Sequence, residues 1–144
     1  MRTRSCALGD DAPWRSDATA SDSSPYGGDI DMKELVAGST IYLPVLVPGG
    51  MLTFGDCHAL VGDGAVAGTG AETSSDIHVR ITLEKGMGIT SPRALTPEYF
   101  VVLSYGEDLG PAMKQAVRGM VDFLVKEKGM APYDAYTLLS LAGD

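Results

Sequence analysis

Two hydrophobic periods divide this chain. Between Ser39 and Tyr105 apolar residues run in short β-rich stretches or alternate with polar ones; beyond Leu109 they recur at helical spacing. The cleanest alternation is Ile77, Val79, Ile81 and Leu83 on one parity against His78, Arg80, Thr82 and Glu84 on the other. This predicts a strand over 77–84 with one wet face, and His78 reads as a solvated strand residue. Residues 39–47 are also β-rich, with Pro44 removing a donor and pointing to an edge or bulge. Pro48-Gly49-Gly50 reads as a turn, and Met51–Phe54 resumes an extended run. Further strands are predicted over Ala65–Glu72, where Gly68 and Gly70 allow close approach, and over Glu98–Tyr105.

The last third predicts helices. Met113, Ala116, Val117, Met120, Val121 and Leu124 form one apolar stripe over 109–128, and the methionines on it read as core filler. Asp108 is placed to cap this helix, Pro111 is tolerated in its first turn, and Gly129 ends it. Pro132 opens a second short helix through Tyr136, Leu139 and Leu141. The fold class is α+β: a mainly antiparallel sheet followed by two C-terminal helices. Residues 1–26 are rich in Ser, Asp, Ala, Thr and Arg, with Trp14 the one large apolar group before Tyr26. They read as a disordered or loosely attached arm, because such a segment buries too little surface to offset its ordering entropy. Residues 27–144 form the domain.

Composition narrows the function. A chain of 144 residues suits one compact domain. The net charge of −8, with 11 basic residues and no basic run, argues against nucleic-acid binding and against docking on anionic membranes. The longest apolar run, Ile41 to Val47, is too short to span a bilayer. No secretory signal follows Arg2 and Arg4, so a cytoplasmic protein is expected. Cys6 and Cys57 offer no disulfide framework.

Candidate chemistry concentrates in Gly55-Asp56-Cys57-His58-Ala59-Leu60-Val61-Gly62-Asp63-Gly64. Asp56 and His58 are separated by one residue, so an extended backbone projects both from the same face. A carboxylate beside an imidazole can bind a divalent cation or pass protons near neutral pH. The same Gly-Asp and Asp-Gly pairs also serve ordinary turns. A nucleotide-binding glycine loop is excluded by spacing: Gly62-Asp63-Gly64 followed by Gly68 misses G-x-G-x-x-G.

Several separate strings, in order, resemble the acetamidase/formamidase family of amide hydrolases. Gly27-Gly28-Asp29-Ile30-Asp31 is similar to its Gly-Gly-Asn-(Ile/Met)-Asp. The run from Gly38 through Tyr42-Leu43-Pro44-Val45 to Pro48-Gly49-Gly50 is similar to a second family string. Gly55-Asp56-Cys57-His58-Ala59, followed by Gly62-Asp63-Gly64, resembles its Gly-Asp-x-His-Ala-x-x-Gly-Asp-Gly-Glu. Gly68-Thr69-Gly70-Ala71-Glu72 and the closing segment from Asp134 to Ala142 are similar to later family segments. The resemblance implies a β-sandwich-like core carrying helices, and metal-assisted hydrolysis of short linear amides such as formamide or acetamide, with zinc the first candidate. It implies that Asp56 and His58 hold the cation, that Asp63 and Glu72 are catalytic proton carriers, and that Asp29 and Asp31 bind substrate. The structural alternatives are a turn-shaping role for Asp63 and a solvated strand end for Glu72.

Three departures accompany the resemblance. Family members are about twice as long, and the sheet-forming half that precedes their Gly-Gly-Asn-x-Asp has no counterpart here. The chain also stops at Ala142-Gly143-Asp144, inside a motif that family members continue. Ala65 stands where the family pattern has Glu, and a methyl group neither binds a metal nor moves a proton. The expected protein is therefore an amidase active alone or as a homo-oligomer; the alternative is a catalytically silent remnant or binding module that pairs with a full-length relative.

Overall fold

The computed structural model describes residues 5–10, 25–50 and 52–144. The elements in chain order are β1 (Ser5–Asp10), β2 (Thr40–Tyr42), β3 (Leu52–Leu60), β4 (Ala71–Glu72), β5 (Arg93–Leu95), β6 (Phe100–Val102), α1 (Leu109–Lys128) and α2 (Pro132–Ala142). This is an α+β fold, with antiparallel sheet followed by two C-terminal helices. The chain divides into two compact units, Met1–Phe100 and Val101–Asp144.

The strands form two small sheets, of strand order β1-β3-β4 and β2-β5-β6, the first of them wholly within the first unit. β3 is the spine of the first sheet, antiparallel to β1 on one edge and to β4 on the other. Both pairings slip by one residue. Cys6 faces Cys57 and Ala7 faces Gly55, so Asp56 is the extra residue on the β1 side. His58 faces Glu72 and Leu60 faces Ala71, so Ala59 is extra on the β4 side. Asp56 has φ 55°, a conformation costly for a non-glycine residue. Such bulges bend a strand and re-aim its side chains. Here they bracket Cys57 and His58, which are buried along with Tyr26, Ile30, Val61 and Ala94.

Several expected strands change in extent, each for a physical reason. The strand expected over 39–47 stops at Tyr42, ahead of Pro44, which has no N–H to continue a ladder. Of Ala65–Glu72 only Ala71–Glu72 is strand, because residues 62–68 turn twice, with Ala65 N–H on the Gly62 carbonyl and Gly68 N–H on the Ala65 carbonyl. The extended run expected over Met51–Phe54 is strand from Leu52 and continues through His58 to Leu60, Met51 lying outside the described residues. The strand expected over 77–84 does not form: those residues are exposed and have no ladder partner among the described residues. Alternation prepares a segment for a sheet, but the sheet needs a second strand to close its hydrogen bonds. Ser5–Asp10, within the stretch read as a loose arm, is a strand paired with β3. Of the rest of that stretch only Pro25 and Tyr26 are described, and Tyr26 is buried, so the chain is already packed there; the other residues, Trp14 included, lie outside the described residues.

In the second unit the helix forms over Leu109–Lys128 as expected, but its stripe is not core: Met113 is exposed and Ala116, Val117, Met120, Val121 and Leu124 are half-buried. Its buried residue is Phe123, with the Lys128 ammonium 5.7 Å from the ring centroid, and Ala135 is the buried residue of α2. Asp108 occupies the N-cap position without a side-chain capping bond; its carbonyl accepts from the Ala112 N–H. Gly129 closes α1 at φ 68°, its N–H reaching the Val125 carbonyl while Met130 N–H reaches that of Leu124. A side chain at this position would suffer the left-handed steric penalty, so glycine is the residue the cap favours. No helix among the described residues is long and apolar enough to cross a membrane.

Candidate metal centre

The site grows from β3. His58 is 1% exposed, and a buried imidazole needs polar partners. It has them at both nitrogens. Glu72 lies opposite it in the β3–β4 register and brings Oε1 to 3.1 Å from Nε2. Asp56, on the bulge, places Oδ1 3.7 Å from the same nitrogen. Asp31, on the loop before β2, places Oδ1 3.8 Å from Nδ1. Asp56 and His58 therefore do converge, by way of a bulge at Asp56 in place of the uniformly extended backbone expected.

One oxygen of the Asp31 carboxylate is buried and accepts no hydrogen bond. An unsatisfied buried carboxylate oxygen is costly, and a cation is one way to satisfy it. Asp31, Asp56 and His58 can each offer one ligand atom, all within 4.8 Å of one another. The donor set, two carboxylates and one imidazole, suits a hard or borderline divalent ion. These residues fit a metal.

Charge in the cluster is unevenly held. The Asp56 carboxyl is pushed above its ordinary range, chiefly by its hydrogen bond with Glu72, with desolvation and the Glu72 charge adding to this. Glu72 is held below its ordinary range, first by the hydrogen bond from Thr69 and then by the one with Asp56. Two carboxyls so arranged titrate as a pair, and the proton favours Asp56. Asp29, at φ 51°, is pushed up by desolvation and by the neighbouring Asp31 charge, partly offset by His58. A hollow of about 450 Å³, lined by Asp56, Cys57, Glu72, Thr73 and Ser74, opens beside the pair.

Two features hold the cluster in shape. Thr69 Oγ1 donates to Glu72 Oε1 at 2.8 Å. Gly70 passes over the His58 ring so closely that a Cβ there would stand 3.0 Å from Cγ and Cδ2, and 2.8 Å from the Leu60 carbonyl. Asp63 lies elsewhere: it is 78% exposed and ion-paired with Lys33 at 2.5 Å, and that contact raises the lysine's pKa. The structure thus gathers Asp31, Asp56, His58 and Glu72, leaves Asp29 one residue from the cluster, and turns Asp63 toward the surface. Thr69 and Lys33 escaped the sequence reading, and Asp31 was read for substrate; only the Asp-x-Asp spacing at 29 and 31 hinted at a ligand.

Residues 15–143 match the Acetamidase/Formamidase family. The chain belongs to that family. A family formamidase of Methylophilus methylotrophus is 31% identical over 138 residues, covering 81% of this chain and 34% of its own. An acetamidase of Mycolicibacterium smegmatis is 43% identical over 61 residues, 42% of this chain and 15% of its own. The crystal structure of an acetamidase from Yersinia enterocolitica superposes with a TM-score of 0.83 at 32% identity, over 96% of this chain and 42% of that one. An acetamidase from Bacillus halodurans gives 0.75 at 26% identity, over 98% and 48%. The chain spans about a third of the formamidase and under half of either acetamidase structure.

Proposed function

We propose that this chain hydrolyses short linear amides, formamide and acetamide first among them, to a carboxylate and ammonia at the Asp31–Asp56–His58 centre. The single observation that carries the reading is the convergence of three carboxylates on a buried imidazole, with one Asp31 oxygen left without a donor. Asp31, Asp56 and His58 would hold the cation, and zinc is the first to test because the set mixes nitrogen with oxygen donors. A bound divalent ion supplies Lewis acidity, polarising a carbonyl and acidifying water.

The chain's own residues handle the protons. An amide is a poor electrophile and an amine a poor leaving group, so water must lose a proton and nitrogen must gain one. Glu72, which lines the hollow and is not one of the three ligands, is the carboxylate that would take a proton from water and return it to nitrogen. His58 orients the Glu72 carboxylate through Nε2. Asp29, beside the cluster, offers a carboxylate to the amide N–H groups of the substrate. Asp63 has an anchoring role in this reading, tying the turn after β3 to the loop that carries Asp31 through Lys33.

The test is ammonia release from formamide and acetamide by purified protein, with added zinc and with a chelator, alongside His58→Ala. Zinc-dependent release that the substitution abolishes is expected. A second reading, cation binding without turnover, is favoured by Ala65, which stands at φ 38° where the family pattern has Glu. Zinc bound at this centre without ammonia release would overturn the hydrolase and leave the binding module, and release restored by Ala65→Glu would name the reason.

A further inference from the structure

We infer that Thr69 is a positioning residue: its hydroxyl aims the Glu72 carboxylate at His58 and so sets the imidazole that the metal centre uses. This rests on the metal-centre reading above and deepens it.

The β3–β4 register brings Glu72 opposite His58, but register places a backbone, not a carboxylate. β4 is two residues long and the Glu72 side chain is 56% exposed. A glutamate has three rotatable bonds, and at an exposed strand end it would spread over many rotamers. In the structure its Oε1 takes two donors at once, Thr69 Oγ1 at 2.8 Å and His58 Nε2 at 3.1 Å, and the carboxyl also bonds with that of Asp56. Threonine is a stiff anchor, since branching at Cβ restricts its single relevant torsion. Its hydroxyl proton has one alternative acceptor, the Gly70 carbonyl at 3.1 Å, which is the longer contact.

The segment between anchor and carboxylate is itself pressed on the ring. Gly70 leaves no room for a side chain above His58, and Thr73 N–H continues the ladder to the Cys57 carbonyl at 2.8 Å. Residues 69–73 therefore act as a clamp, with the Gly70 backbone close against the imidazole and a carboxylate hydrogen-bonded to its Nε2. Partners behind a metal-binding histidine fix its orientation, and their loss costs affinity though they touch no metal.

The experiment compares Thr69→Val, which keeps shape and removes the hydroxyl, with Thr69→Ser, which keeps the hydroxyl. The chain has two histidines, so the imidazole 15N–1H spectrum of metal-free protein resolves His58 once His58→Ala identifies its signal. Zinc affinity is read by competition with a chelating dye. Thr69→Val is expected to shift the His58 Nε2 signal and weaken zinc binding roughly tenfold, whereas Thr69→Ser keeps the parent spectrum and affinity. Placed on a Glu72→Gln background, Thr69→Val is expected to add no further loss, which a merely structural role would not produce. A Thr69→Val protein with the parent's His58 signal and zinc affinity overturns the inference, as does a serine variant as impaired as the valine one. If Thr69→Val fails to fold, the serine variant and Thr69→Ala decide by the same two readings. None of these needs turnover: a chain that releases no ammonia yet shows the shifts loses the hydrolase reading and keeps Thr69.

Discussion

His58 stands where three carboxylates converge, and each arrives by a different route. Asp56 comes from a bulge, Glu72 from a cross-strand register and Asp31 from a loop. Asp63 looks equivalent in the sequence yet is committed to Lys33 at the surface. We therefore expect Asp31→Asn to weaken zinc binding by at least about tenfold and Asp63→Asn to leave it unchanged, as titration calorimetry would show. Acid should act through Asp56. Its proton is held above the ordinary aspartate range, and a cation must displace it. Falling pH therefore weakens binding, by up to about tenfold per pH unit for one displaced proton, starting at higher pH than an ordinary aspartate would cause. Chelator competition at stepped pH checks this.

At the scale of elements, the two helices and the sheets answer to different rules. α1 was legible to the residue because its hydrogen bonds are local, its stripe sustained and its stop chemically marked by Gly129. That stop can be measured. Gly129→Ala forces a side chain into the left-handed cap and should cost about 1 kcal/mol, read as a lower urea midpoint with an unchanged slope. Strands were legible only in part: β2, β3, β4 and β6 fall on expected stretches, whereas β1 and β5 were not expected. The best alternation in the chain, 77–84, forms no ladder among the described residues, while Ser5–Asp10, with no alternation worth reading, pairs with β3. A strand's partner lies far along the chain, and no periodicity names it.

The whole molecule exposes much that a sheet would ordinarily cover. Ile81 is 70% and Leu83 68% exposed on one parity of the segment 77–84, with Val79 beside them. An unpaired segment of alternating β-branched residues is a template for pairing with another strand. We expect purified protein to sediment in a concentration-dependent way, and Val79→Lys with Ile81→Lys to reduce that dependence. A single sedimentation coefficient across the concentration series would contradict the expectation.

Family membership, the α+β order and both helices could be read from residue types and their spacing, because each depends on strings or contacts within a few residues. The Asp56–His58 pair and its neighbour Glu72 were visible in the same way. Recruitment of Asp31, diversion of Asp63 to Lys33 and the hold of Thr69 on Glu72 were decided in three dimensions. They join a loop, a bulged strand and a two-residue strand, and which side chains meet there depends on register slips that leave no mark in the hydrophobic pattern.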